Sequence, residues 1–542
     1  MADAPRSSFE PPPEGPRAAP PATLVNQIED PPTDMLGIFK RLGPGLILAG
    51  SIVGSGELIA TTKTGAKAGF TLLWLIIIGC VIKVFAQIEI GRYTIVTGNT
   101  SMNGLNEVPG PRLRVNWILW YWVVLFFVSM GQLGGIVGGV GQALAITFPF
   151  TNEGKMFNEF ASASVDLASP EAILKSNKAT EAEKQAAQLK IVEIRSRIEK
   201  VRSEYWALHP EAATALEEKD RNPKGKDVVI WAFLTTVVTS VLLVIGRYGF
   251  IQNATTFMVA SFTAMTVFTV FGLQAQPNWA IHLEDLWVGF STVPEGKAMF
   301  TALATFGIIG VGANELIAYP YWCLEKGYAR STGPLDNTPE WGRRARGWMR
   351  VMRWDAWCSM VVYTFATLSF YLLGAAVLNR QGLDPADDSM IHMLSAMYVP
   401  VFGAWTERLF LFGAFAVLYS TFFVATAGQA RVASDVLQLF GAIPTGPDTH
   451  RRWVGYLSGF LPFLGFGIFA VWPKPQALVL AGGLMQAIML PMLAGAALFF
   501  RYKRCDPRIE PTRLWDVMLW GSSVGLLFAG IGAAISTLGI GK

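Results

Sequence analysis

Few ionisable residues fall inside stretches that otherwise read as lipid-spanning, chiefly Glu57, Lys83 and Glu315. One acid at the centre of a membrane helix costs about 2.5–3.5 kcal/mol on insertion scales, so its presence calls for a function. Two carboxylates facing one cavity would ligate a hard cation, because Mg, Mn and Ca prefer oxygen donors. Lys83 lies nine residues before Arg92, about 13 Å along a helix, deeper than a lysine stem spans on its way to the interface. Its ammonium could pair with Glu57, Glu315 or Glu89, fill the place of a bound cation, or carry a proton. Glu89 is expected to pair with Arg92, three residues on.

The two acids belong to a repeat. Residues 53–60 read Val-Gly-Ser-Gly-Glu-Leu-Ile-Ala and residues 311–318 read Val-Gly-Ala-Asn-Glu-Leu-Ile-Ala, six of eight identical at an offset of 258. Gly69 and Gly327 match at the same offset. One copy lies in the first apolar span and the other in the sixth. Five is an odd number of crossings, so the copies sit in halves of opposite orientation, as in inverted-repeat transporters. In such folds the first helix of each half breaks near the midplane, and the freed backbone helps to form the substrate site. Gly54 and Gly56 mark one break and Gly312 the other, with Asn314 beside it. The expected oxygen ligands are Glu57, Glu315, Asn314 and carbonyls near Val53 and Ile309.

The surrounding elements explain how such residues are held. The chain has 542 residues, 52% hydrophobic and 15% charged, against about 25% charged in soluble domains. It reads as an all-α polytopic membrane protein in the lipid bilayer. Spans are expected near 44–64, 70–91, 116–147, 228–246, 250–274, 299–321, 356–378, 404–428, 453–472, 475–499 and 515–540, about eleven in all. Four cysteines (Cys80, Cys323, Cys358, Cys505) show no metal-ligand spacing, and a net charge of +4 gives no nucleic-acid footprint. No nucleophile constellation, phosphate loop or cofactor motif is present, so neither enzyme activity nor a cofactor is expected.

Residues 1–40 are Pro-rich and read as a disordered cytoplasmic tail. Residues 41–148 hold spans 1–3 and residues 228–542 hold spans 4–11. Basic residues such as Arg92, Arg112, Arg114, Arg330, Arg343 and Arg501 fall in alternate short loops. This places the N-terminus in the cytoplasm and the C-terminus outside, with the plasma (inner) membrane as the expected location. Residues 149–227 carry 27 of the 84 charges and form an external helical insertion. Within it Ile191, Ile194, Ile198, Val201, Tyr205 and Leu208 recur at spacings of three and four. That stripe folds back on its own insertion or, through residues 180–208, binds a partner or a second copy.

Residues 43–70, opening Gly-Pro-Gly and closing Gly-Ala-x-x-Gly, resemble the first span of the Nramp (natural resistance-associated macrophage protein) family of metal-ion transporters. Gln87, Arg92 and Val-Thr-Gly at 96–98 fit the end of its second span, and Ala427-Gly428-Gln429 and Leu490-Pro491 fit later ones. The resemblance implies a LeuT-like inverted repeat of 5+5 helices plus one more, with helices 1 and 6 broken. It also implies metal ligands from an Asp-Pro-Gly-Asn motif, but those positions are Gly54, Ser55, Gly56 and Glu57 here. The family's Met-Pro-His becomes Gly312, Ala313 and Asn314. The acidic pair of span 3 becomes Gln132 and Gly135, and the span-10 Gln falls on Met489, one turn from Gln486.

The chain therefore reads as a divergent member that moves an inorganic cation by alternating access. Without the soft sulfur ligand, Mg, Mn or Ca is favoured over softer metals. Lys83, Gln132 and Gln486 are expected to serve coupling or charge pairing. Two alternatives stay open: a transporter of a small organic or zwitterionic solute, and a non-transporting sensor or scaffold.

Overall fold

The computed structural model describes residues 28–175, 180–215, 217, 221–245, 248–291, 297–385, 389–403 and 405–538. Among these, nine helices are long and apolar enough to cross a membrane. They match expected spans 2, 3, 4, 6, 7, 8, 9, 10 and 11. Span 5 is the helix Tyr248–Leu273. Span 1 is divided: Pro44–Ile52, a π-helical turn over Gly56–Thr61, then Thr62–Ala68. Span 6 is divided too, into Lys297–Ile308 and Ala313–Lys326. Both breaks fall on the repeated motif.

Spans 3 and 10 form the centre of the bundle. Span 3 (Trp117–Thr147) packs on spans 4, 8, 9 and 10, and span 10 (Pro475–Lys503) packs on spans 2, 3, 6 and 11. Close approach rests on small residues, as is usual between membrane helices. A Cβ on Gly134 would lie 2.4 Å from Gly465 O, and one on Gly307 would lie 1.8 Å from Gly483 O.

Several boundaries differ from the expected ones. Residues 1–27 of the expected tail lie outside the described residues, but residues 28–40 are not a free tail. Asp34 caps a helix at Met35–Arg41, Trp348 donates to Glu29 O at 3.1 Å, and Arg343 pairs with Asp30 at 2.7 Å. The Asp34 carboxylate accepts from the Gly37 amide at 2.9 Å and so starts a helix among the prolines. Span 7 starts earlier than expected, at Pro339, with Thr338 as its N-cap. The arginines 343–353 therefore ride on a helical extension rather than a loop.

The insertion folds onto itself. Helix Glu181–Leu208 opens with a capping box formed by Thr180 and Glu183. It lies against helices Asn152–Asp166 and Ala168–Lys175. Ile191, Ile198, Val201 and Tyr205 of the expected stripe are buried there, while Leu208 is exposed. Most of the stripe is thus consumed internally, while Leu189, Val192 and Leu208 stay exposed on the same helix. Both ends of the insertion meet at Asp227, which accepts from the Phe150 and Thr151 amides (2.6 and 3.1 Å) and from the Thr151 hydroxyl (2.6 Å).

Candidate functional site

The two breaks cross at the centre of the bundle. After Ile52 the chain leaves the helix at Val53, whose ψ is 78°. It re-enters through the wide turn Gly56–Thr61, and the hydroxyls of Thr61 and Thr62 donate to Gly56 O (3.0 Å) and Glu57 O (3.3 Å). Such π turns recur at functional sites in helices. The first half of span 6 ends at Ile308, and two residues on Gly310 takes a φ of +57°, a conformation that side chains resist. The breaks touch: a Cβ on Gly56 would lie 3.3 Å from Ile308 O.

The matched acids are used differently. Glu57 is fully buried and turns back on its own break. Its Oε2 accepts from the Gly54 amide at 3.3 Å and its Oε1 from the Thr367 hydroxyl at 3.1 Å. It caps an amide that the break set free, where negative charge is favoured. Glu57 does not line the central cavity. Glu315 does, and its Oε2 has no hydrogen-bond partner.

That cavity measures about 50 Å³, room for roughly three to five waters by this measure. Ser55, Gly56, Ser129, Gln132, Asn314, Glu315, Thr421 and Gln429 supply its polar wall. The buried oxygens Asn314 Oδ1 and Gln429 Oε1 also lack partners. Asn314 is oriented from both ends: its Nδ2 donates to Ser129 Oγ at 2.9 Å and its backbone amide to Gln486 Oε1 at 3.2 Å. Gln486 Nε2 in turn donates to Gln132 Oε1 at 2.9 Å. One chain of hydrogen bonds therefore joins spans 3, 6 and 10 behind the cavity.

Two glycines make this wall possible. A Cβ on Gly312 would lie 2.5 Å from Glu315 Oε2 and 2.6 Å from Gln486 Oε1, so oxygens crowd the start of any side chain there. A Cβ on Gly54 would lie 1.6 Å from Thr421 Oγ1. Span 8 thus presses a hydroxyl against the first break. Thr421, Ser129 and the wall position of Gln429 were not singled out from sequence, because each comes from a helix outside the repeat.

Lys83 is fully buried. Its Nζ donates to Phe306 O and, at 2.8 Å, to Ile309 O. Among the described residues no carboxylate lies within ion-pair distance of it. The Ile309 carbonyl, an expected cation ligand, is therefore taken by Lys83. Glu89 pairs with Arg92 at 3.0 Å as expected and also accepts from Trp515 Nε1.

The ends of the site differ. Toward the C-terminal end of broken span 1, Thr64 and Thr305 meet at 2.7 Å. Beyond them Lys63 pairs with Asp384 at 3.0 Å and with Gln476. Toward the opposite face, which carries the basic loops, the cavity is lined by Trp122, Trp322, Gly428 and Val432. At that end Asp355 accepts from the Gly43 and Gly45 amides (2.9 and 2.5 Å) and the Tyr319 hydroxyl (3.1 Å). This carboxylate ties the Gly-Pro-Gly opening of span 1 to spans 6 and 7.

Two inverted halves, each led by a broken helix, define a LeuT-like membrane-transporter fold. The sequence matches the family described as Natural resistance-associated macrophage protein-like (Nramp) over residues 45–156 and 223–536, and the chain belongs to that family. The match omits most of the insertion. Two variants of the Eremococcus coleocola manganese transporter share the fold, each with TM-score 0.58 and 14% identity, covering 95% of this chain and 91% of that chain. The divalent metal cation transporter MntH of Mycobacterium tuberculosis is 30% identical over 121 residues, 22% of this chain. The chain covers 27% of that relative's length and 17% of the Mycobacterium bovis one.

Proposed function

We propose that this chain is a secondary transporter for a hard divalent cation, with Mg, Mn and Ca preferred over softer metals. The observation that carries the reading is that Asn314 and Glu315 line one small cavity between two broken helices and that each holds a buried acceptor oxygen without a hydrogen-bond partner. Buried acceptors without donors are costly, and a cation supplies what they lack. Gln429 Oε1, Thr421 and Ser129 add neutral oxygens. Among the described residues no group of three His, Cys, Asp or Glu side chains could hold a metal ion. An ion bound here keeps part of its water shell, as Mg does most readily. The small cavity speaks against an organic solute, and the self-folded insertion speaks against a scaffold.

Glu57 serves the site by holding the first break open, and the Gln132–Gln486 pair by fixing Asn314. Movement of the ion follows alternating access. The Thr64–Thr305 contact and the Lys63–Asp384 pair close the outer face, and the cavity extends toward the cytoplasmic one. The N-terminus then lies in the cytoplasm, and the insertion and C-terminus lie outside, at a plasma (inner) membrane.

The test is flux into proteoliposomes with Mg, Mn, Ca, Co and Zn, with and without a pH gradient. Uptake of the hard ions, lost in Glu315→Gln, supports the reading. No divalent flux, or flux that survives Glu315→Gln, overturns it.

A further inference from the structure

Lys83 is a fully buried ionisable residue of the central region that the proposed site does not use. It is not snorkelling, since its side chain is fully buried and its ammonium ends on backbone. The acceptors, Phe306 O and Ile309 O, would have bonded the amides of Gly310 and Ala313 had the helix continued. Gly310 breaks that run. Two orphan carbonyls at the C-terminal end of a half-helix carry the negative end of its dipole. The Phe306 ring, its centroid 4.8 Å from Nζ, presents a second electron-rich surface. Carbonyls and a ring face together form a cradle for a monovalent cation, and Lys83 fills it from span 2.

Across the break stands Glu315, which lines the cavity and keeps one buried oxygen without a hydrogen-bond partner. Lys83 and Glu315 are within electrostatic reach of one another, and Glu57 is within reach of Lys83 as well. No direct pair forms, so the carboxylate stays available to the transported ion while feeling a fixed positive charge. Like charges at close range in a low-dielectric interior repel strongly.

We infer that Lys83 is a tethered cation, seated on the broken end of span 6, that fills a cradle suited to a monovalent ion and weakens the hold of the site on its divalent cargo so that the cargo can leave. The second half of this inference rests on the proposed divalent site, and the first half does not.

Two measurements separate them. The first is the thermal stability of purified Lys83→Ala in Na⁺ or K⁺ against choline. The vacated cradle accepts a small monovalent cation, so Na⁺ or K⁺ raises the melting temperature of the variant and leaves wild type unmoved. Equal behaviour of variant and wild type in all three salts overturns the tethered-cation assignment. The second is divalent flux through Lys83→Met and Lys83→Arg. Methionine keeps the stem and drops the charge, so KM falls about tenfold and the maximal rate falls with it as release slows. Arginine keeps the charge and stays near wild-type KM. A purely structural role would leave KM unchanged or raise it in both variants, and that result overturns the release role. Absence of divalent flux in wild type counts against the proposed substrate alone, and the Na⁺ rescue of Lys83→Ala then still decides the cradle. A wild-type flux that requires Na⁺ also overturns the tethered-cation assignment.

Discussion

The two broken helices start from nearly the same eight residues and end with opposite roles. At the span-1 break, Glu57 turns inward on the Gly54 amide and Thr367, and both its oxygens are engaged. At the span-6 break, Glu315 borders the cavity, and its Oε2 lies back against Gly312 without a hydrogen-bond partner. The same asymmetry holds for the backbone. At the first break a carboxylate serves freed amides, and at the second an ammonium serves freed carbonyls. A repeat thus divides its labour. One copy engages both oxygens of its acid, and the other leaves one buried oxygen without a partner.

Four substitutions probe that division. Glu315→Gln should abolish divalent flux, about 100-fold or more, yet leave the fold intact. Its melting temperature should hold or rise, because a buried unpaired charge has been removed. A variant that melts markedly lower would make Glu315 structural and erase the contrast. Glu57→Gln should behave in the opposite way. Stability should fall by about 2 kcal/mol as charged hydrogen bonds at the break are weakened, while the preference among metals stays as in wild type. A changed metal preference in that variant would place Glu57 in the binding site. Gly312→Ala should push Glu315 and Gln486 apart and raise the KM for divalent ions roughly tenfold, which a flux titration reads directly. Thr367→Val removes one hydroxyl from Glu57 and should cost about 0.6 kcal/mol, a typical value between membrane helices. It should be visible in melting and absent from KM.

The sequence revealed the repeat, its parity and therefore the two breaks, because these depend on local glycines and on counting crossings. It placed Lys83 deep in the bundle from its distance to Arg92. It did not reveal which way each acid turns. Glu57 is set by Thr367 on span 7, and Glu315 has its way cleared by Gly312 beside Gln486 on span 10, contacts that no short-range pattern encodes. Thr421 and Gln429 were missed as wall residues for the same reason. The helix at Met35–Arg41 is a different case. Its N-cap, Asp34, is a short-range signal set among prolines. The stripe at 191–205 packs on helices 152–175 of the same insertion, while Leu189 and Val192 beside it remain exposed.

Asp227 gathers both ends of that insertion, residues 76 apart in sequence, onto a single carboxylate. A segment that leaves and returns through one point adds little constraint to the body that carries it, since closure cost grows only with the logarithm of its length. It could be excised and the ends rejoined, or exchanged for a rigid foreign domain with the same end separation, without re-registering spans 3 and 4. For imaging, where a mass that sits almost wholly in the bilayer gives little to align on, the Asp227 junction offers a fixed mast outside the lipid.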